Sequence, residues 1–212
     1  SVVDGETLYD GKISIMNRED LSVEREINLA GASNIKVYED SVLAYGVGPK
    51  AIVMDKESLT VMQELEIEGT ISGVEKQGEN FYFTSVREQV ETGVPNPPTV
   101  RHGYVSKHSE NGEEITNIDL GITSRPREIL AYGENLTILN DFSEREIKFI
   151  DFSEEEVTDL ITLDDRPEHL EIVGEKAYAV GSDDEMLYVM DLESRTIEDE
   201  IKIEGINSIS SY

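Results

Sequence analysis

The segment Lys50–Gly69 (KAIVMDKESLTVMQELEIEG) decides the fold, because the chain repeats it. It aligns without a gap on Lys12–Gly31 (KISIMNREDLSVEREINLAG). Further copies are Lys148–Asp165 (KFIDFSEEEVTDLITLDD) and Met186–Gly205 (MLYVMDLESRTIEDEIKIEG), and Tyr104–Ile122 (YVSKHSENGEEITNIDLGI) is the most divergent one. Self-similarity at a fixed spacing is typical of solenoids and propellers, so the repeat governs the interpretation of the whole chain.

Each copy alternates apolar and polar residues, breaks at a polar turn and then alternates again, which predicts a β-hairpin with one buried face. The acidic residue at the break (Asp55, Asp151, Asp191) favours a turn in which its carboxylate accepts backbone N–H groups. A second hairpin pattern precedes the copies, as in Leu170–Gly181 (LEIVGEKAYAVG). The sequence therefore predicts units of four strands, labelled A to D from the inside outward.

Four antiparallel strands per repeat of about 40 residues predict an all-β, five-bladed β-propeller. We expect a single domain, 1–212, whose blades are 206–212 plus 1–31, 32–69, 70–122, 123–165 and 166–205. The segment Ile206–Tyr212 would add the inner strand to the N-terminal blade and so close the ring without exposed edges. A five-repeat piece of a larger ring is the alternative. The aligned Met16, Met54 and Met190 are expected to pack between blades.

The residues Leu187-Tyr188-Val189-Met190-Asp191, followed by Ile197, Ile201, Ile203 and Gly205, resemble the YVTN-type repeat of bacterial and archaeal surface propellers. Arg125-Pro126 and Arg166-Pro167 lie where that repeat often carries a proline before strand A. The resemblance extends over the whole chain at the level of blades. It implies a propeller fold and says little about function.

Charge and composition exclude several function classes. Asp and Glu number 46 against 18 Lys and Arg, a net charge of −28, so nucleic acid and anionic membranes are unfavourable partners. The chain has no cysteine, hence no disulfide or thiolate site, and no apolar run long enough to insert into a membrane. We expect an extracellular or cell-surface protein.

Strand order places the A–B and C–D turns on one side of a propeller and the B–C and D–A loops on the other. Cations concentrate on the second side, in a chain that is otherwise strongly acidic. The predicted binding residues are Arg101, His102, Arg125, Arg127, Arg166 and His169. The longest stretch predicted to be irregular, Ser85–Gly103, is the B–C connection of the third blade and contains three prolines.

These observations favour a noncatalytic binding or interaction module whose partner is a protein or a glycan. Two alternatives remain open: a structural component of a surface layer or filament, and a glycoside hydrolase-like enzyme with paired carboxylates on inner strands. The candidate carboxylates for the enzyme are Glu75, Glu128, Glu168 and Glu171. No cofactor is expected; calcium is the one cation that Asp164-Asp165 or Asp183-Asp184-Glu185 would suit.

Overall fold

The structure is a computed structural model that describes residues 2–3, 6–7, 12–28, 32–46, 48–90, 99–206 and 208–209, and these residues form strands and turns. The strands are β1 (Val2–Val3), β2 (Glu6–Thr7), β3 (Lys12–Met16), β4 (Val23–Asn28), β5 (Ala32–Val37), β6 (Ser41–Gly46), β7 (Lys50–Asp55), β8 (Val61–Glu66), β9 (Thr70–Gln77), β10 (Asn80–Val90), β11 (Thr99–His108), β12 (Glu114–Gly121), β13 (Pro126–Gly133), β14 (Leu136–Asp141), β15 (Glu146–Asp151), β16 (Glu156–Thr162), β17 (Pro167–Val173), β18 (Lys176–Gly181), β19 (Met186–Asp191) and β20 (Thr196–Lys202). Within the described ranges no helix is long and apolar enough to cross a membrane.

The strands form four-stranded antiparallel sheets, as the repeat predicts. Strands β5–β8, β9–β12, β13–β16 and β17–β20 each make one sheet in chain order, within the predicted blades 32–69, 70–122, 123–165 and 166–205. In the part of the N-terminal blade that is described, β3 pairs with β4 and β1 pairs with β2. The all-β fold built from repeated four-stranded sheets is therefore confirmed.

The contacts group the chain into two compact units, Ser1–Ile71 and Ser72–Tyr212, with the boundary inside β9. In the first unit, the buried side chains of Val42, Ala44 and Met54 on the β5–β8 sheet pack against Ile13 and Ile27 of the β3–β4 hairpin. This apolar cluster explains why the hairpin lies on that sheet, since burial of apolar side chains is the main favourable contribution to folding.

In the second unit, three sheets pack face to face, and β13 lies beside both β10 and β17. One core, between the first two of these sheets, contains Tyr82, Val105 and Ile150. The other core, between the last two, contains Phe149, Tyr188 and Met190. Full burial of such a side chain contributes about 1.5–3 kcal/mol, so these two cores hold the sheets at defined spacings.

Polar side chains connect the second strand of one sheet to the inner strand of the next. Thr84 Oγ1 donates a hydrogen bond to the Arg127 carbonyl (2.9 Å), and Asn140 Nδ2 donates to the Pro167 carbonyl (3.3 Å). A Cβ atom at Gly73 would lie 2.0 Å from that Arg127 carbonyl oxygen, so the close approach of β9 to β13 requires glycine. These contacts place the first residues of β13 and β17, which carry predicted site residues.

In the predicted irregular stretch Ser85–Gly103, the described residues 85–90 and 99–103 are regular strand, so the prediction was wrong for them. β10 continues to Val90, β11 begins at Thr99, and the pairs run without interruption from Ser85↔Tyr104 to Val90↔Thr99. Residues 91–98, which include all three prolines, lie outside the described residues. A proline has no backbone N–H to donate to a neighbouring strand, so the whole stretch around the three prolines was predicted to be irregular. The residues on both sides of the prolines instead form a long hairpin.

Two further predictions differ from the structure. Met54 and Met190 are buried, but Met16 is 51% exposed, because Lys12, Ser14 and Met16 share the outward face of β3. In the predicted inner strand Ile206–Tyr212, the described residues Ile206, Ser208 and Ile209 have no strand conformation, and the others lie outside the described residues.

The predicted aspartate turns are confirmed. In each turn, the backbone N–H of a following serine donates to the aspartate Oδ1. Ser58 donates to Asp55 (2.7 Å), Ser153 to Asp151 (2.8 Å) and Ser194 to Asp191 (2.7 Å). The serine hydroxyl donates to the same oxygen in each turn. The hydroxyls of Ser58 and Ser153 and the backbone N–H of Ser194 are the main causes that lower the pKa of Asp55, Asp151 and Asp191.

Candidate functional site

Backbone hydrogen bonds join the B–C and D–A loops of the last two sheets. In the β13–β16 sheet, Phe142 N–H donates to the Arg125 carbonyl (3.1 Å) and Leu163 N–H donates to the Arg145 carbonyl (2.8 Å). In the β17–β20 sheet, Ser182 N–H donates in the same way to Arg166 (2.9 Å). We call the surface formed by loops 122–125, 142–145, 163–166 and 182–185 of the second unit the arginine face.

The central feature of the arginine face is a phenylalanine ring that meets two guanidinium groups. The Cζ atom of Arg127 lies 3.9 Å from the centroid of the Phe142 ring, and that of Arg166 lies 5.5 Å from it. Both distances are in the range of cation–π attraction. The ring orients the two cations, which come from the start of β13 and from the loop before β17.

Each of these arginines has a carboxylate neighbour, but the two pairs differ. Arg127 Nη1 donates directly to Glu168 Oε1. Arg166 Nε is 3.8 Å from Asp183 Oδ2, which is too long for a hydrogen bond. The side chain of Arg166 is 45% exposed, so its guanidinium retains donors for an incoming acceptor.

His169 belongs to the same region, at the start of β17. Its Nδ1 lies 3.3 Å from Glu128 Oε1, while Glu128 Oε2 accepts the Leu170 N–H (2.6 Å). A carboxylate oxygen only accepts, so Nδ1 is the donor in this contact. Glu128 therefore links β13 to β17 and sets the orientation of the imidazole.

Arg125 and Arg101 are joined through the backbone. Arg125 Nη1 donates to the carbonyls of Ser124 (2.7 Å) and Arg101 (3.3 Å). The side chain of Arg101 instead pairs across the long hairpin with Glu88, at 2.8 and 2.9 Å. The Arg125 side chain thus spans from its own loop to β11.

His102 lies in a separate cluster on the β10–β11 hairpin. Its Nδ1 is 3.1 Å from Asp119 Oδ2, and its ring stacks on Tyr104 with 6.1 Å between centroids. The Tyr104 hydroxyl donates to the same carboxylate (3.2 Å), and Arg87 lies over the Tyr104 ring at 4.0 Å. Burial, followed by the charge of Asp119, raises the pKa of Tyr104, so its hydroxyl is a donor at neutral pH.

A buried ion cluster supports the loops of the arginine face. Lys148 Nζ contacts Asp141 Oδ2 (2.8 Å) and Glu144 Oε2 (2.6 Å), and Asp141 also accepts from Ser124 Oγ and from the Arg125 N–H (2.9 Å). Burial opposes the charge on Asp141, but hydrogen bonds from Lys148 and Ser124 outweigh it, and the pKa of Asp141 is lowered. The loop that carries Arg125 is therefore anchored by a buried carboxylate.

Asp165 anchors the next loop. Its carboxylate accepts the backbone N–H groups of Arg166 (2.6 Å), Asp183 (3.0 Å) and Asp184 (2.9 Å). The two loops next to Arg166 are thus held by one buried acidic side chain. These contacts give Asp165 a structural role in the loop junction.

The enzyme candidates lie on the predicted strands. Glu75 lies on β9, Glu128 on β13, and Glu168 and Glu171 on β17. Glu128 and Glu168 lie on adjacent inner strands, and both side chains are partly exposed. The Glu128 carboxylate contacts the Leu170 N–H and His169. The Glu168 carboxylate contacts Arg127.

The structure brings Arg127 and Arg166 together at the Phe142 ring. It places Arg125 in the loop before β13, His169 at the start of β17, and Arg101 and His102 on the neighbouring hairpin. Sequence reasoning missed Phe142, the ring between the two guanidinium groups. The available signal was an aromatic residue directly after strand B in Asn140-Asp141-Phe142, in a loop whose neighbours are otherwise polar.

No family model matches the chain, and no curated protein matches it. Among solved structures, a protein of unknown function from Bacteroides caccae superposes with a TM-score of 0.63 and 12% identity, over 94% of this chain and 74% of that one. The WD40 β-propeller domain of Doa1 also superposes with a TM-score of 0.63, at 10% identity, over 84% of this chain and 54% of that one. Identities this low concern the fold alone, and the fold of this chain is β-propeller-like.

Proposed function

We propose that the chain is a noncatalytic binding module that contacts its partner through the arginine face. The observation that carries the proposal is the pair of guanidinium groups held over the Phe142 ring, with Arg166 half exposed and its Nε 3.8 Å from Asp183 Oδ2. Arginine and aromatic residues dominate the energetics of many interfaces. The partner chemistry that fits is a carboxylate-bearing surface of an extracellular protein, with a glycan as the alternative.

The high net negative charge of the chain repels an acidic partner at long range. This repulsion must be compared with the attraction that the arginines exert at short range. The Debye length is about 8 Å at physiological ionic strength, so most of the 46 carboxylates are screened from a ligand at Arg166. The guanidinium groups act at hydrogen-bond distance, where bidentate geometry adds both energy and specificity. Local pairing therefore dominates over repulsion at physiological salt, and the repulsion grows as the salt concentration falls.

The proposal includes a closed ring of five blades in one domain, related to the YVTN-type repeat family, and an extracellular or cell-surface location. The recurrence of four-stranded sheets in chain order supports the ring, and the β-propeller-like neighbours support its class. A ring holds its loops rigidly, so little conformational entropy is lost when a partner binds.

The test uses the full chain and two immobilised probes, poly-L-glutamate for a protein partner and alginate for a carboxylate-bearing glycan. The triple variant Arg125→Ala, Arg127→Ala, Arg166→Ala should bind at least about tenfold more weakly than the wild type to the preferred probe. Lys12→Ala, which removes an exposed lysine paired with Glu26 in the first unit, is the matched charge control and should bind normally.

Equal binding by the triple variant and the wild type would reject the arginine face as the site. Binding to neither probe would reject the carboxylate chemistry. Thermal unfolding of the triple variant must be measured in parallel, because Arg127 also pairs with Glu168.

A glycan-cleaving enzyme is the second candidate, since Glu128 and Glu168 lie partly exposed on adjacent inner strands. Hydrolysis of a glycan by the wild type that is lost in Glu168→Gln would favour this class over the noncatalytic one. A surface-layer component would instead assemble into regular arrays that electron microscopy detects.

A further inference from the structure

A cavity of about 430 Å³ lies on the side opposite the arginine face, between the A–B turns of the β9–β10 and β13–β14 hairpins. Its size falls within the roughly 300–1,000 Å³ that is usual for small-molecule sites. Its walls combine a lysine, amides, two carboxylates and an aromatic ring, and the residues used below are Glu79, Asn80, Tyr82, Lys107, Glu134 and Asn135.

Lys107 is the unusual member of this set. Its Nζ donates to Asn135 Oδ1 (2.5 Å) and lies 5.9 Å from the centroid of the Tyr82 ring. Among the residues that the structure describes, no carboxylate oxygen lies within 4.0 Å of this ammonium group. By contrast, Lys12, Lys148 and Lys176 each have a carboxylate oxygen within that distance, at 2.6, 2.6 and 2.5 Å.

A partly buried lysine with no anionic partner is unexpected in a chain with 46 carboxylates. The ammonium group lines the cavity, so a carboxylate that enters the cavity can take the place of the missing counter-ion. The Tyr82 ring is buried beneath this site and closes its floor.

The two glutamates define the second half of the ligand. Glu79 and Glu134 line the same cavity and are exposed at its rim. Burial and then the charge of Glu134 raise the pKa of Tyr82, which indicates that this carboxylate acts on the space beside the ring. A simple anion would be repelled by the two glutamates and a simple cation by Lys107, whereas a molecule with both charges is favoured at both ends.

We propose that this cavity binds a small zwitterion of the α-amino-acid class, with its carboxylate on Lys107 and its ammonium group toward Glu79 and Glu134. The side-chain amides of Asn80 and Asn135 can hydrogen-bond a polar side chain of the ligand. The site is separate from the arginine face and does not depend on its function.

The experiment is calorimetric titration of the full chain with L-glutamine, and with acetate and ethylamine as probes that carry only one of the two charges. L-Glutamine should bind at least about tenfold more tightly than either single-charge probe. Lys107→Met should weaken L-glutamine binding by about tenfold or more. Lys176→Met, which removes an exposed lysine of the adjacent sheet, should leave it unchanged.

Glu134→Gln gives a second, independent readout at an exposed turn. It should weaken L-glutamine and ethylamine binding and tighten acetate binding, because repulsion of the carboxylate falls. Absence of L-glutamine binding to the wild type, or acetate binding as tight as that of L-glutamine, would overturn the proposal. If Lys107→Met does not fold, the opposite effects of Glu134→Gln on acetate and ethylamine binding still test whether the cavity binds a zwitterion. The triple variant of the arginine face should bind L-glutamine normally, so the two proposals fail separately.

Discussion

A Cβ atom on Gly181 would lie 2.1 Å from Oδ2 of Asp165, so it is the absence of a side chain at Gly181 that admits the Asp165 carboxylate to the loop junction. In the preceding sheet the arrangement is reversed. There Asp141, on strand B, supplies the carboxylate, and Ser124, in the D–A loop, donates to it. In both sheets the carboxylate accepts the N–H of the arginine before the proline, Arg125 in one and Arg166 in the other.

Replacement of Gly181 by alanine should therefore destabilise the protein. The new methyl group would displace the Asp165 carboxylate from three backbone N–H donors, and a loss of about 2–3 kcal/mol is expected. The measurement is the midpoint of urea unfolding. A change below about 0.5 kcal/mol would contradict the buried role of Asp165.

The reversed arrangement also predicts a rescue. Gly181→Asp alone places two carboxylates in one junction and should be strongly destabilising. Gly181→Asp combined with Asp165→Ser reproduces the Ser124–Asp141 pair and should recover at least half of that loss. The double-mutant cycle measures this coupling directly, and additive effects would show that the two junctions are not equivalent.

Lys148→Met should cost about 3–5 kcal/mol of stability. It leaves the fully buried Asp141 carboxylate without its cation, and a buried charge without a partner is expensive. Lys176→Met is the control, because its pair with Glu198 is exposed and contributes little to stability. Similar losses from the two variants, measured by urea unfolding, would contradict the prediction.

The buried histidine predicts a loss of stability in mild acid. Burial lowers the pKa of His108 below its ordinary value of 6.5; Nε2 contacts Ser106 Oγ (3.0 Å), and the nearby charged groups are Glu114 and Arg87. As the pH falls below 6.5, the unfolded chain binds a proton before the folded chain does, so stability falls until the folded pKa is passed. The decline in the urea midpoint between about pH 7.5 and pH 5.5 should be smaller in His108→Gln than in the wild type. An equal decline in both would exclude His108 as its source.

Glu155→Asn should stabilise the protein by about 0.5–1 kcal/mol. Glu155 has a φ of 58°, a left-handed conformation that asparagine adopts more readily than glutamate. Glu154→Asn, one residue earlier in the same turn, removes the same charge at an ordinary φ and is the matched control. Equal shifts in melting temperature for the two variants would assign the gain to charge alone.

Much of the fold could be predicted from the sequence, and the errors have physical causes. The blade boundaries from residue 32 onward follow from alternation of period two and from acidic turns, which are local properties. Met16 was predicted to be in the core because it aligns with Met54. The packing of the β3–β4 hairpin decides which face of β3 points outward, and Met16 lies on that face. The hairpin through Ser85–Gly103 was missed because its prolines lie together between Val90 and Thr99.

The candidate site was predictable only in part. Strand order was sufficient to assign Arg125, Arg127, Arg166 and His169 to one side of their sheets. The ring of Phe142 between Arg127 and Arg166, and the cavity beside Lys107, required the packed sheets.

The sequence alone determined where strands begin, where they turn and how often the unit recurs, because alternation and turn chemistry act over a few residues. Only the tertiary structure decided which residues meet, as with Asp165 and Gly181 or Lys107 and Asn135. Those contacts join residues 16 and 28 positions apart, and their distances depend on how whole sheets pack against each other.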